Sequence, residues 1–443
     1  MSLPRYAEYK DSGVASLGLV PSHWQIKRLR FVAELNPSKS EVASLDRQTD
    51  VSFLPMDAIG DDGTIRLDET RTLAQVENGY TYFRDGDVVI AKITPCFENG
   101  KGAVIRGLLE GVGFGTTELI VVRPRHQQTT SNYLVWLFAS PTFRNDAEGA
   151  MYGAGGQKRV PDSFVRDYLG AVPPLDEQSA IATFLDRETG KIDALIAEQE
   201  KLLALLAEKR QATISHAVTR GLDPDVPMKD SGVPWLGEVP AHWEVQRLKT
   251  LSPSITVGIV VNPSDYVSQS GLPFIYGGDI SEGHISIETS RRIEPADSAK
   301  QAKTQLRTGD LLTVRVGAPG VTAVVGEECE GGNCASVMLI RRGDFNSNWL
   351  CFAMNSRMVR YQVEVVQYGA AQEQFNIGHA INFCILTPSR DEQTELAGRL
   401  SEMVGQIVSL SEEARRAIGL LRERRSALIA AAVTGKIDVR QAA

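Results

Sequence analysis

Apolar residues recur at alternating three- and four-residue steps in two long stretches of the chain, and at continuous or two-residue spacing elsewhere. The later stretch carries Leu400, Met403, Ile407, Leu410, Ala414, Ala417, Leu421 and Leu428. The earlier one carries Leu185, Ile192, Leu195, Leu202 and Leu206, with polar interruptions at Glu188, Gln199 and Lys209. That period predicts amphipathic helices with a coiled-coil-like seam about six turns long. At about 1.5 Å per residue, a helix over Asp176–Thr219 would measure about 65 Å. The two stretches share their start and stop signals. Pro173-Pro174-Leu175-Asp176-Glu177-Gln178 returns 215 residues on as Pro388-Ser389-Arg390-Asp391-Glu392-Gln393, and Val218-Thr219 returns as Val433-Thr434.

The intervening sequence reads as mixed α/β. Val51–Leu54 is strand-like and Asp61-Asp62-Gly63 a hairpin-type turn. Gly86-Asp87 leads into an apolar, β-branched run, Val88–Ile93, expected as a buried strand; Thr117–Val122 is another, and Tyr133–Ala139 suits a short helix ended by Pro141. Residues 244–386 repeat this plan in Pro273–Tyr276, Gly309-Asp310 with Leu311–Val316, Cys334–Ile340 and Trp349–Met354. Near the N-terminus, Lys10–Val14 and Val20-Pro21-Ser22-His23-Trp24 return as Lys229–Val233 and Val239-Pro240-Ala241-His242-Trp243. The His-Trp pairs are expected as proline-bounded turns that dock a tryptophan on the domain.

A repeat of half the protein means duplication of a whole domain with its helix. Four segments follow: 1–173, 174–223, 224–386 and 387–443. Domain termini lie close together, so connectivity predicts antiparallel helices. The expected fold class is α+β, or mixed α/β, with two similar globular domains separated by two long antiparallel coiled-coil-like helices, a pseudo-twofold dumbbell.

Composition narrows the function. The net charge of −8 means that any surface for duplex DNA is a local patch, or is completed by a partner. No apolar run approaches the roughly 20 residues of a membrane span, and the N-terminus lacks the apolar core of a secretory signal. The five cysteines are odd in number and without paired CxxC spacing, which suits thiols of a reducing cytoplasm better than disulfides or zinc. No catalytic constellation is found. Gly153-Ala154-Gly155-Gly156-Gln157-Lys158-Arg159 has the wrong spacing for a Walker A loop, and Gly111-Val112-Gly113-Phe114-Gly115 runs into a strand where a nucleotide loop needs a helix. Asn36-Pro37-Ser38 and Asn262-Pro263-Ser264 do not supply the loop of an adenine methyltransferase, and six scattered histidines form no metal motif or triad.

Polar, glycine-flanked loops remain. In the first domain they hold Lys92, Thr94, Asn99 and Lys101, then Gln157, Lys158 and Arg159; in the second they hold Arg315, then Gln372, Gln374 and Asn376. Such side chains read base edges, and glycine lets the backbone approach phosphate. Their recurrence at the same place in both halves makes them candidate DNA contacts.

Together with the Ile93–Gly102 string, the Gly156–Arg159 loop, the repeated Val-Pro-x-His-Trp and Pro173–Gln178 strings, and the Ala432–Asp438 close, the chain resembles the specificity subunits of type I restriction-modification enzymes over essentially its whole length. The resemblance implies a non-catalytic subunit with two target-recognition domains, each reading half of a split DNA site. It makes the helices a ruler and a dock, and it makes Leu185, Ile192, Leu195, Leu202, Leu206, Leu400, Ile407, Leu410, Leu421 and Leu428 seam or partner-facing positions. It further implies double-stranded DNA, two modification (methyltransferase) subunits and restriction subunits as partners, a cytoplasmic setting and no membrane. No cofactor or metal is expected on this chain; S-adenosylmethionine belongs to the modification subunit, and ATP with Mg to the restriction subunit. A scaffold or decoy that binds modification subunits without reading DNA is the alternative. In the second domain, Glu373 interrupts the glutamine-rich loop, which departs from the commoner text.

Overall fold

A computed structural model describes residues 4–367 and 374–441. Two compact units emerge. One is built from the chain up to Gln199 together with the segment from Arg416 onward, the other from Glu200 to Arg415.

The first unit holds two four-stranded sheets. One is ordered Glu69–Thr72, Asp50–Leu54, Val112–Gly115, Thr81–Arg84; the other is ordered Ala33–Leu35, Leu119–Pro124, Val88–Ala91, Gly102–Val104. Val88, Ile90, Ile120 and Val122 fill one core, while Val89, Leu119 and Val121 fill the opposite one. Burial on both faces is why these strands read as unbroken apolar runs. The glycine-rich Gly111–Gly115 segment is itself a strand, parallel to Asp50–Leu54. A side chain at Gly113 would collide with the Phe83 ring, and one at Gly115 would sit 2.7 Å from the Leu54 carbonyl. The glycines there allow close packing of strands. Pro141 does end the helix Ser131–Ala139, but it also opens a further helix, Pro141–Gly149, where its missing N–H costs nothing.

The second unit repeats the plan. One sheet is ordered Ile255–Val257, Met338–Ile340, Leu311–Thr313, Thr322–Val324; the other is ordered Arg291–Ile293, Leu272–Ile275, Asn333–Cys334. The run from Cys334 to Ile340, expected as one strand, is divided between the two sheets by Ser336, whose φ of 59° turns the chain. The repeated Gly-Asp before the central strand has one role in both units. Asp87 accepts from the Arg84 backbone N–H and pairs with the Arg123 guanidinium at 2.7 Å; Asp310 accepts from the Arg307 N–H and pairs with Arg341 at 2.5 Å. Both carboxylates are buried, so the charge is tolerated because it is paired and hydrogen-bonded.

The long helices are Leu175–Arg220 (46 residues) and Arg390–Val433 (44 residues). Within the first unit they run antiparallel: Ile181, Phe184 and Leu185 share a core with Ile429, Ala432 and Val433, and Arg425 donates to Asp193 at 2.9 Å. The seam differs in phase from the sequence reading. Leu400, Val404, Ile407, Ser411, Ala414, Ile418 and Leu421 turn inward, as do Leu185, Thr189, Ile192, Ile196, Gln199, Leu203 and Leu206 at equivalent positions. Met403, Leu195, Leu202 and Leu410 are exposed, and Leu428 is half-buried. A step of one residue rotates a helix by about 100°, and the adjacent pairs Leu195-Ile196, Leu202-Leu203 and Met403-Val404 are apolar at both positions, so the 3-4 pattern fits either phase. No helix among the described residues is long and apolar enough to cross a membrane.

Candidate nucleic-acid interface

The two candidate loops of the first unit are locked into one surface. Ile93 bridges to Arg159; the Thr94 N–H donates to the Lys158 carbonyl at 2.9 Å, and the Lys158 N–H to Thr94 Oγ1 at 3.0 Å. Thr94 Oγ1 in turn donates to the Gly156 carbonyl at 2.6 Å. A threonine in Ile-Thr-Pro is thus the clamp that holds the second loop, which spacing alone could not reveal. The clamp leaves Asn99, Gln157 and Lys158 exposed on the joined surface.

The other sequence-derived candidates are engaged inside the fold. Lys92 lies 3.7 Å from Asp162, and Lys101 Nζ donates to the Met56 carbonyl at 2.9 Å. Arg159 grips Glu118 through Nε and Nη2, at 2.9 and 2.8 Å. That guanidinium holds the Glu118 carboxyl below the ordinary glutamate range, and the carboxylate raises the arginine in return.

In the second unit the equivalent pairing recurs, with Val316 bridged to Gln374 and the Phe375 N–H donating to the Arg315 carbonyl at 3.3 Å. Arg315 Nε reaches the Phe375 carbonyl, also at 3.3 Å. The Asn376 side chain accepts from the Gly378 N–H at 2.9 Å and caps the turn Ile377–Ala380. Gln372 lies outside the described residues.

The repeated strings that frame each unit turn out to be two halves of one lock. Glu177 accepts from Trp24 Nε1 at 2.9 Å and contacts His23 Nε2 at 2.7 Å; Glu392 accepts from Trp243 Nε1 at 3.0 Å and contacts His242 Nε2 at 3.0 Å. Both tryptophans are fully buried, as the docked-turn reading expected. The next residue ties the long helix to the short one before it: Gln178 accepts from the Thr130 N–H, and Gln393 from the Asn346 N–H. In the first unit Tyr6 and Arg440 add hydrogen bonds to Glu177. The lock fastens each long helix to the strands and the short helix that precede it.

Sequence reading also passed over two arginines that stand over aromatic rings, Arg71 over Phe53 and Arg291 over Tyr276. The strand pairing that brings each to its ring has no local sequence signal.

No family model matches the chain. The specificity subunit of the Escherichia coli type I restriction enzyme EcoAI is 40% identical over 193 residues, 43% of this chain and 32% of that protein. The EcoEI specificity subunit, also from Escherichia coli, is 39% identical over 196 residues, with the same shares, and the EcoBI specificity subunit is 25% identical over 294 residues, 63% of this chain and 60% of that one. The chain therefore spans about a third of the length of the first two relatives. A solved structure described as the basis of complex assembly and conformational transition of the type I R-M system superposes with a TM-score of 0.70 at 20% identity, covering 94% of this chain and 98% of that one. The HsdS subunit from Thermoanaerobacter tengcongensis superposes at 0.54 with 19% identity over the same shares. At those identities the likeness is one of fold.

Proposed function

We propose that this chain, which belongs to the specificity subunits of type I restriction-modification enzymes, is the non-catalytic subunit that reads a bipartite DNA site, one half-site per globular unit. The observation that supports this reading is the loop pairing found at the same place in both units, which in the first presents Asn99, Gln157 and Lys158 outward on a rigid backbone. Rigid presentation of amide and cationic donors suits base edges and phosphates. Residues 1–173 and 224–386 are then the target-recognition domains, and 174–223 and 387–443 the helices that set half-site spacing. Leu195 and Leu410, exposed at 46% and 51% and equivalent in the repeat, are the apolar positions offered to modification subunits. The methyl donor lies with those subunits and ATP with Mg with the restriction subunits, all of them in the cytoplasm, where the target duplex is found.

The test is binding by the chain reconstituted with its modification subunit. Sequence-dependent retention of duplex is expected, and its absence would sink the reading. Replacing Gln157 and Lys158 by Ala separates it from the scaffold alternative. Loss of duplex binding with intact assembly favours recognition; intact duplex binding shows that the paired loops are not the reading surface. Arg159 is unsuitable for this purpose, because its partner is Glu118.

A further inference from the structure

Each unit carries an arginine placed over an aromatic ring at the edge of a sheet. In the first, Arg71 stands on the edge strand Glu69–Thr72, its guanidinium carbon 3.5 Å from the centre of the Phe53 ring. Nη1 donates to Tyr80 Oη at 3.2 Å and Nη2 to Glu69 at 3.4 Å, while Tyr80 meets Phe53 edge-on at 5.0 Å. In the second, Arg291 stands on the edge strand Arg291–Ile293, 4.0 Å above the Tyr276 ring, and Tyr276 meets Phe274 edge-on at 5.0 Å. Arg291 is exposed and makes no ion pair among the described residues.

The two arrangements are not a copied residue pair. Phe53 and Phe274 hold the same place in their sheets, each in a strand parallel to a later one. Opposite Phe53 stands Glu69, whereas opposite Phe274 stands Arg291 itself, so Arg71 sits two residues further along the edge strand, on the same face. The supporting ring differs as well. The same device on that face, reached with different residues in two domains that otherwise diverge, fits a shared task on different targets.

Stability gives only part of the reason for it. For the exposed Arg291 the cation–ring contact contributes only about 0.5–1 kcal/mol; for the half-buried Arg71 on the buried Phe53 ring it reaches about 2, and the exposed ion pair with Glu69 adds no more than about 1 kcal/mol. Its effect on geometry is larger. Stacking and the phenol hydrogen bond hold Arg71 in one rotamer, which removes the ordering cost that a free arginine meets on binding. The ring covers one side of the guanidinium; Arg71 keeps a second N–H on each Nη beyond its bonds to Tyr80 and Glu69, and Arg291 has no ion pair among the described residues, so both can still donate to guanine or phosphate. Arg71 meets only the exposed carboxylate of Glu69, at 3.4 Å, whereas Arg123, Arg159 and Arg341 hold less exposed carboxylates at 2.7, 2.8 and 2.5 Å.

We propose that Arg71 and Arg291 are DNA-contacting residues, one for each half-site, held ready by their aromatic platforms. The proposal rests on the DNA-recognition reading above. The test uses the complex with modification subunits and a library of random-sequence duplexes, from which the wild-type complex selects its site. Arg71→Gln and Arg291→Gln are each expected to weaken binding of the selected duplex roughly 5- to 100-fold. A base contact would also relax the selected sequence in one half-site, a different half for each variant; a phosphate contact would lower the salt slope by about one instead. Arg71→Lys and Arg291→Lys keep the charge without the planar fork and guard against a folding artefact. Wild-type affinity, selected sequence and salt slope in both glutamine variants would overturn the proposal while leaving the recognition reading intact. Failure of the wild-type complex to select any sequence would overturn both.

Discussion

Glu118 and Asp87 show how differently two paired carboxylates behave. Glu118 is partly exposed, and its pairing with Arg159 depresses its titration below the ordinary glutamate value of 4.5. A depressed folded-state value stabilises the protein above the unfolded value, and that stabilisation is lost as pH falls through the folded one. Wild type should therefore melt above Glu118→Gln at neutral pH, and the gap should close as the pH is taken below about 4.5; a gap independent of pH would refute the assignment. Asp87 and Asp310 are buried, and each accepts from backbone N–H as well as from its arginine, so removing the carboxylate leaves buried donors unpaired and takes the nearest counter-charge from Arg123 or Arg341. Asp87→Ala and Asp310→Ala should each cost about 3–5 kcal/mol in urea unfolding. Thiols sort by the same logic. Burial pushes Cys334 and Cys351 up to about 12 and Cys329 to about 11, so a maleimide should leave these three unmodified until the chain unfolds.

Among the elements, the long helices show what a pattern can and cannot specify. Their existence, limits and repeat were legible, because 3-4 spacing and shared start strings persist over many turns. Their phase was not. Met403 and Leu410 are exposed while Val404 and Ser411 face inward: both series keep the heptad, and large apolar residues stand on each, so spacing alone does not choose between them. Val404→Ala should therefore lower stability by about 1–2 kcal/mol and Met403→Ala by less than about 0.5. The displaced leucines form their own series. Leu205 and Leu420, at 52% and 66% exposure, are equivalent in the repeat, as are Leu195 and Leu410. Leu195→Glu with Leu410→Glu should abolish pull-down of the modification subunit without moving the melting temperature. The loops were half legible: the strings singled out segments that pair with one another in each unit, but which side chains stay outward depends on partners such as Glu118 and Asp162, distant in sequence.

At the scale of the molecule, duplication was the most readable feature, since two strings recurring in order already required two domains and two helices. What the strings did for one another was not readable, because Trp24 meets Glu177, and Trp243 meets Glu392, across some 150 residues. The lock also differs between copies in a way that bears on biosynthesis. The unit from Glu200 to Arg415 is one uninterrupted length of chain, whereas its fellow needs Ile429, Ala432 and Val433 in its core and Arg440 on Glu177. Synthesis proceeds from the N-terminus, so the domain begun first is the last to be completed. A nascent chain halted at residue 415 would hold every residue of the later unit and none of the distal segment that closes the earlier one.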